Sequence, residues 1–214
     1  MRFEKLVPLT EGVEDFGIFK AVFMAGSPGS GKSTVRDLLF GGLGLKVVDA
    51  DEIRSAYLKM GRSGDYDQFN RLVVKQYQSY MDQRLGVILD TTAWWLPGVR
   101  TTVNQLTELG YDVGMVHVFT PLSVASQRVR SRAASSGRDV PPEELEKRFQ
   151  GLKHNIPIYS QMFGDHYWFV DNSGEEPKID VVKNSIMSWL RSPPANPVAQ
   201  QWIAQQKALK TGLV

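Results

Sequence analysis

Gly26, Ser27, Pro28, Gly29, Ser30, Gly31, Lys32 and Ser33 fit the pattern G-x-x-x-x-G-K-[ST], and Thr34 continues the run. These residue types suit a phosphate cradle. Glycines let successive backbone N–H groups turn inward around phosphate oxygens, and the helix after them adds its dipole. Lys32 is placed to reach the β- and γ-phosphates of a nucleoside triphosphate, and the Ser33 hydroxyl to help hold Mg²⁺. Asp51 follows a short apolar run and has Arg54 three residues on. A carboxylate there can accept the proton of an attacking hydroxyl while the arginine holds a substrate phosphate. Asp51 can instead cap a helix starting at Glu52, and Asp49, on the same strand face, competes for the role of base. Asp90 ends an apolar run, where a carboxylate serves the magnesium ion or the acceptor hydroxyl, or merely starts a turn. Trp94 and Trp95 follow closely, either to stack on a base or to pack as core or lid. Arg128, Arg130, Arg132 and Arg138 crowd one segment with Asp139 beside them. Arginines closing from a lid neutralise charge spread over a transferring phosphate, and Arg132 and Arg138 are preferred for that task. A solvated basic face is the alternative.

Such groups act together only if the chain brings them to one end of a sheet. Short apolar runs alternate with helical stretches, the pattern of βαβ units and a parallel sheet. Strands are predicted at 18–25, 45–48, 86–90, 113–119 and 168–170. Helices are predicted at about 32–40, from 52, at 67–84, 97–109, from 122, from 142 and at 179–190. In an open parallel sheet, ligands sit beyond the carboxyl ends of the strands, where the glycine-rich turn, Asp51 and Asp90 all fall. The expected fold is a three-layer α/β/α sandwich with a helical, arginine-rich lid at about 128–150. The expected division is a domain over 1–191 and a proline-rich linker with a helical tail over 192–214.

Composition narrows the chemistry further. The 214 residues include no cysteine and three separated histidines, which excludes thiolate metal sites, a cysteine nucleophile and a histidine-rich metal centre. His117 lies inside an apolar strand and reads as a satisfied buried residue. Lys and Arg total 25 against 23 Asp and Glu, so phosphate binding must come from local clusters and not from net charge. No apolar leader and no run of bilayer length is present, and a cytoplasmic protein without a membrane partner is expected.

Four pieces in order resemble the P-loop kinase group that contains phage-type polynucleotide 5′-hydroxyl kinases and zeta-toxin kinases. They are Gly26–Thr34, Asp51–Arg54, Gly86–Thr92 and the lid ending Gly137–Pro141, with Asp171–Gly174 similar to the zeta-toxin ending. The resemblance implies ATP and Mg²⁺ as cofactors, Asp51 as general base and Arg54 as a contact to substrate phosphate. It also implies Asp90 as a second carboxylate on the substrate or metal side, and lid arginines from Arg132 to Arg138 at the transferring phosphate. The acceptor expected is a hydroxyl of a nucleic acid or nucleotide, at a 5′ end or on a hydroxymethylated base. A kinase of a nucleotide-sugar and a non-kinase NTP-dependent switch are the alternatives.

Overall fold

The structure is a computed structural model that describes residues 13–50, 53, 66–136 and 140–210. Five strands run parallel: β1 (Lys20–Ala25), β2 (Lys46–Val48), β3 (Val87–Thr91), β4 (Asp112–Phe119) and β5 (Tyr167–Asp171), in the order β2-β3-β1-β4-β5. The described helices are α1 (Lys32–Phe40), α2 (Tyr66–Asp82), α3 (Leu96–Glu108), α4 (Leu122–Ser136), α5 (Pro142–Phe163), α6 (Asp180–Arg191) and α7 (Pro197–Lys210). β1 is buried along its whole length, as befits a central strand covered on both faces.

Because strand side chains alternate, β1 feeds two separate cores. Ala21, Phe23 and Ala25 face one cluster with Val99, Val103 and Leu106 of α3 and Leu152, Tyr159 and Phe163 of α5. Val22 and Met24 face the other, with Val35 and Leu39 of α1 and Val182, Ile186 and Trp189 of α6. Helices therefore cover both faces, which is the three-layer α/β/α arrangement expected from the sequence. The first strand begins at Lys20, two residues later than its apolar run, because Phe19 takes a positive φ of 55°.

Composition marks residues 192–197 as a linker and the helix after them as an appendage, yet the structure fastens both to the core. Ala195 and Asn196 donate their backbone N–H groups to the Asp112 carboxylate at 2.8 and 3.2 Å. Asn196 Nδ2 donates to the Thr107 carbonyl at 2.8 Å. Beyond them α7 buries Ala199 completely and sets Trp202 edge-on to Phe19, with ring centroids 5.4 Å apart. Prolines remove donors but leave these neighbouring amides free to bond, which composition cannot reveal.

Candidate active site

Crossing from β1 to α1, the chain makes the phosphate cradle. Gly31 sits at the N-cap of α1 with φ 84° and offers no side chain to the first-turn amides. A Cβ there would lie 2.3 Å from Asn172 Nδ2, so close approach as well as conformation demands glycine. Amides left uncapped at a helix start, with the positive dipole end behind them, fit a triphosphate. Ser33 and Thr34 are exposed on that first turn. Lys32 Nζ folds back to donate to the Gly26 carbonyl at 3.0 Å and stands 3.7 Å from Asp90 Oδ1.

Far strands hold the cradle in place. The Ser30 carbonyl accepts from Asn172 Nδ2 at 2.7 Å and from Thr120 Oγ1 at 3.1 Å, both beyond the ends of their strands. The Asn172 carbonyl in turn accepts from Arg128 Nη1 at 3.1 Å, and Arg128 Nη2 donates to the Gly174 carbonyl at 3.1 Å. Arg128 thus ties the middle of α4 to the turn after β5. Arg132, one helical turn further along α4, is partly buried, and Arg130 is exposed. Asp171, in the same turn, accepts from the Lys178 ammonium and from Ser173, which pulls its carboxyl down to about 2.

On the other side of the cradle lies a carboxylate cluster. The register β1 to β3 sets Asp90 beside Met24, two residues before the cradle begins. Arg36, buried on α1, reaches Asp49 at 3.5 Å and Asp90 at 3.9 Å, and its Nε donates to Asp37 at 3.0 Å. Sequence reasoning missed Arg36 and Thr120, and singled out the Asp171–Gly174 segment without the role of Asn172 in it. An arginine in a short helix reads as a surface residue, and only the fold shows that its helix face is buried. Asp49, the competing base, is therefore engaged by a buried guanidinium. Asp51, Arg54 and Arg138 lie outside the described residues. Among the described residues no three His, Cys, Asp or Glu gather into a metal cage. Ser33 with Asp90 suits Mg²⁺, which keeps most of its waters and takes one or two protein groups plus phosphates.

Beyond Asp90 opens a cleft of about 410 Å³, bounded by Phe23, Val48, Val73, Tyr77 and Trp95 among others. That volume is of small-ligand size. The two tryptophans divide at this point. Trp95 is 59% exposed, and its ring lies on Gly98, where a Cβ would come within 2.4 Å of it. The contact is at the Cε3–Cζ3 edge of the indole, and most of the side chain faces solvent. Trp94 turns toward α5, with Lys147 Nζ 4.9 Å from its ring centre. His117 is buried and shares a 2.7 Å hydrogen bond with the Tyr167 hydroxyl, and burial lowers its pKa to about 4. It is neutral and packed, as the sequence implies.

Residues 14–175 match the Zeta toxin family. No curated protein matches the sequence. Among solved structures, AvrRxo1-ORF1 in its complex with AvrRxo1-ORF2 and sulphate superposes with a TM-score of 0.61 at 12% identity, covering 87% of this chain and 70% of that one. A protein of Chloroflexus aurantiacus assigned as a kinase superposes at 0.56 with 19% identity, covering 80% and 93%. A chain of the Pnkp1/Rnl/Hen1 RNA repair complex superposes at 0.55 with 24% identity over 65% of this chain, which spans 46% of that chain's length. These likenesses show a shared fold. With the family match over most of its length, the chain belongs to the Zeta toxin family and is a P-loop kinase.

Proposed function

We propose that the protein transfers the γ-phosphate of ATP to a hydroxyl carried by a nucleic acid or nucleotide. The observation that carries this reading is the Trp95 side chain, 59% exposed and lining the same cleft as Asp90. Stacking on an aromatic side chain is the usual way a protein takes an unpaired base, at about 1–3 kcal/mol per base.

The roles follow from the residue types and their order along the chain. The backbone N–H groups of Gly29 and Gly31 to Thr34 and the Lys32 ammonium bind the triphosphate, and Lys32 leaves the Gly26 carbonyl to do so. Ser33 and Asp90 would hold Mg²⁺, which offsets charge on the phosphates. Asp51 takes the proton of the acceptor hydroxyl, Arg54 holds an acceptor phosphate, and Arg132 and Arg138 face the transferring group from the lid. Phosphoryl transfer asks little beyond positioning and charge stabilisation, which these groups supply.

A second reading, a free nucleotide-sugar as acceptor, is favoured by the size of the cleft, which holds one small molecule rather than a duplex. The test is transfer from γ-labelled ATP with Mg²⁺ to three acceptors: a 5′-hydroxyl oligonucleotide, hydroxymethylated duplex DNA and UDP-N-acetylglucosamine. Label on either nucleic acid, abolished in Asp51→Asn while ATP still raises the melting temperature, supports the proposal. Label on the sugar nucleotide alone selects the second reading. ATP hydrolysis with no label on any acceptor, unaffected by Asp51→Asn, would point to a switch.

A further inference from the structure

The turn that carries the two tryptophans is strained and clasped. Ala93 adopts φ 53°, a left-handed conformation that a Cβ disfavours, and it does so with its side chain buried. Both carbonyls that this conformation turns away from the sheet are caught by α5. Tyr159 Oη donates to the Ala93 carbonyl at 2.7 Å, and Asn155 Nδ2 donates to the Trp94 carbonyl at 2.9 Å. Gly151 completes the clasp, since a Cβ there would lie 3.1 Å from the Trp94 carbonyl. Gly151, Asn155 and Tyr159 are spaced four apart, so they form one stripe along the helix. On the strand side the Ala93 N–H donates to Thr91 Oγ1 at 3.0 Å.

Asn155 and Tyr159 are buried polar groups on a helix face that is otherwise core, and neither touches the cradle. Both donate to that one turn, and their side chains also interact with each other. That turn joins Asp90 to Trp95, and both line the cleft. Strained backbone persists where its surroundings over-determine it, and such places gather at binding sites.

We infer that Asn155 and Tyr159 are positioning residues of the acceptor site, which lock the left-handed turn at Ala93 and thereby fix Trp95 relative to Asp90. This rests on the proposed reading of the cleft as the acceptor site. Tyr159 and Asn155 act on acceptor binding through the turn and leave the ATP side alone. Loss of a clasp lets the turn relax to an ordinary conformation, which swings Trp95 away. Replacing Ala93 by glycine removes the conformational penalty and lets the turn keep its shape with fewer bonds.

The test compares wild type, Tyr159→Phe, Asn155→Ala and the double variant Tyr159→Phe/Ala93→Gly. Thymidine and adenosine serve as acceptor-side probes by tryptophan quenching, ATP affinity is measured separately, and amide hydrogen exchange is followed at residues 92–96. In Tyr159→Phe, nucleoside affinity is expected to fall about tenfold, ATP affinity to stay within about twofold, and exchange at 92–96 to quicken about tenfold. Ala93→Gly is expected to recover most of that loss. Equal loss of ATP and nucleoside affinity would mark a role in core packing and overturn the inference. Unchanged nucleoside affinity and unchanged exchange in a folded Tyr159→Phe protein would overturn it as well. If wild type binds neither nucleoside, the acceptor reading fails by itself. Exchange then decides the clasp: quickened exchange confined to 92–96 upholds it, and unchanged exchange sinks it.

Discussion

Two lysines stand at opposite ends of the central strand and have opposite tasks. Lys20 opens β1 and is 1% exposed. Its ammonium donates to Asp112 at 2.7 Å and to Ser192 at 3.2 Å, and it lies 4.9 Å from the Trp189 ring centre. Lys32 lies just past the other end of β1, in partial contact with solvent, with one carbonyl at 3.0 Å and one carboxylate at 3.7 Å. The first charge is matched from within the chain on every side. The second is held loosely by groups that a phosphate can replace. Buried charge needs full internal pairing, whereas a working charge must keep some of its pairing for the ligand. The same cation thus builds the fold at one end of the strand and serves the chemistry at the other.

Four experiments put that contrast at risk. Lys32→Met is expected to lower the transfer rate on the order of a thousandfold, about 4 kcal/mol of transition-state stabilisation, with the melting temperature nearly unchanged. Label transfer and a thermal melt on one preparation check both halves. Lys20→Met is expected to do the reverse. Leaving the partly buried Asp112 without its cation, still held by the Ala195 and Asn196 amides, costs about 1–3 kcal/mol of stability by denaturant unfolding, while kcat per folded molecule stays at the wild-type value.

The third experiment concerns His117, whose pKa burial depresses from 6.5 to about 4. Above pH 6.5 the ring is neutral in both states, and its contribution is fully present. Between 6.5 and 4 the unfolded chain takes up a proton that the folded ring refuses, so stability falls with pH, by about 3 kcal/mol at most. His117→Asn should flatten that part of the stability curve, and an unchanged slope would count against the buried neutral ring. The smallest effect belongs to Lys178. It is the main cause of the low Asp171 pKa but is itself 72% exposed. Solvent screening keeps Lys178→Ala below about 1 kcal/mol near neutral pH. The stability from Asp171 is present above pH 3.8 and is lost as pH falls toward 2, so acid titration of the variant should show the loss shrinking.

How much of this was legible beforehand depends on sequence distance. The cradle, the helix over 32–40 and the alternation of strands and helices rest on neighbours along the chain, and all were readable. The Ser30 carbonyl is held by a side chain 142 residues away, and the tail by an aspartate 84 residues back. Asp112 carries no local mark, and the segment Asp171–Gly174 is recognisable without showing that Asn172 reaches the glycine-rich turn. Arg36 looks like an ordinary solvated arginine until α1 is laid on the sheet. The Gly151, Asn155 and Tyr159 stripe was present at a spacing of four, but a glycine and an asparagine on a core face signal nothing unless the opposing turn is known. The paired tryptophans were visible, and their division of labour was not. It follows from the φ of Ala93, and single residues rarely announce a left-handed conformation unless they are glycine.

The bond from Asn172 to Ser30 also sets a clock. During synthesis the glycine-rich turn emerges 142 residues ahead of the side chain that steadies its carbonyl. At about 5–20 residues per second, that interval is about 7 to 30 s. Over that time the nascent chain carries a complete phosphate-binding motif without the far strand that shapes it. Nucleotide affinity should therefore arise late and abruptly on the ribosome, when residue 172 clears the exit tunnel, and not gradually as the motif and its helix appear.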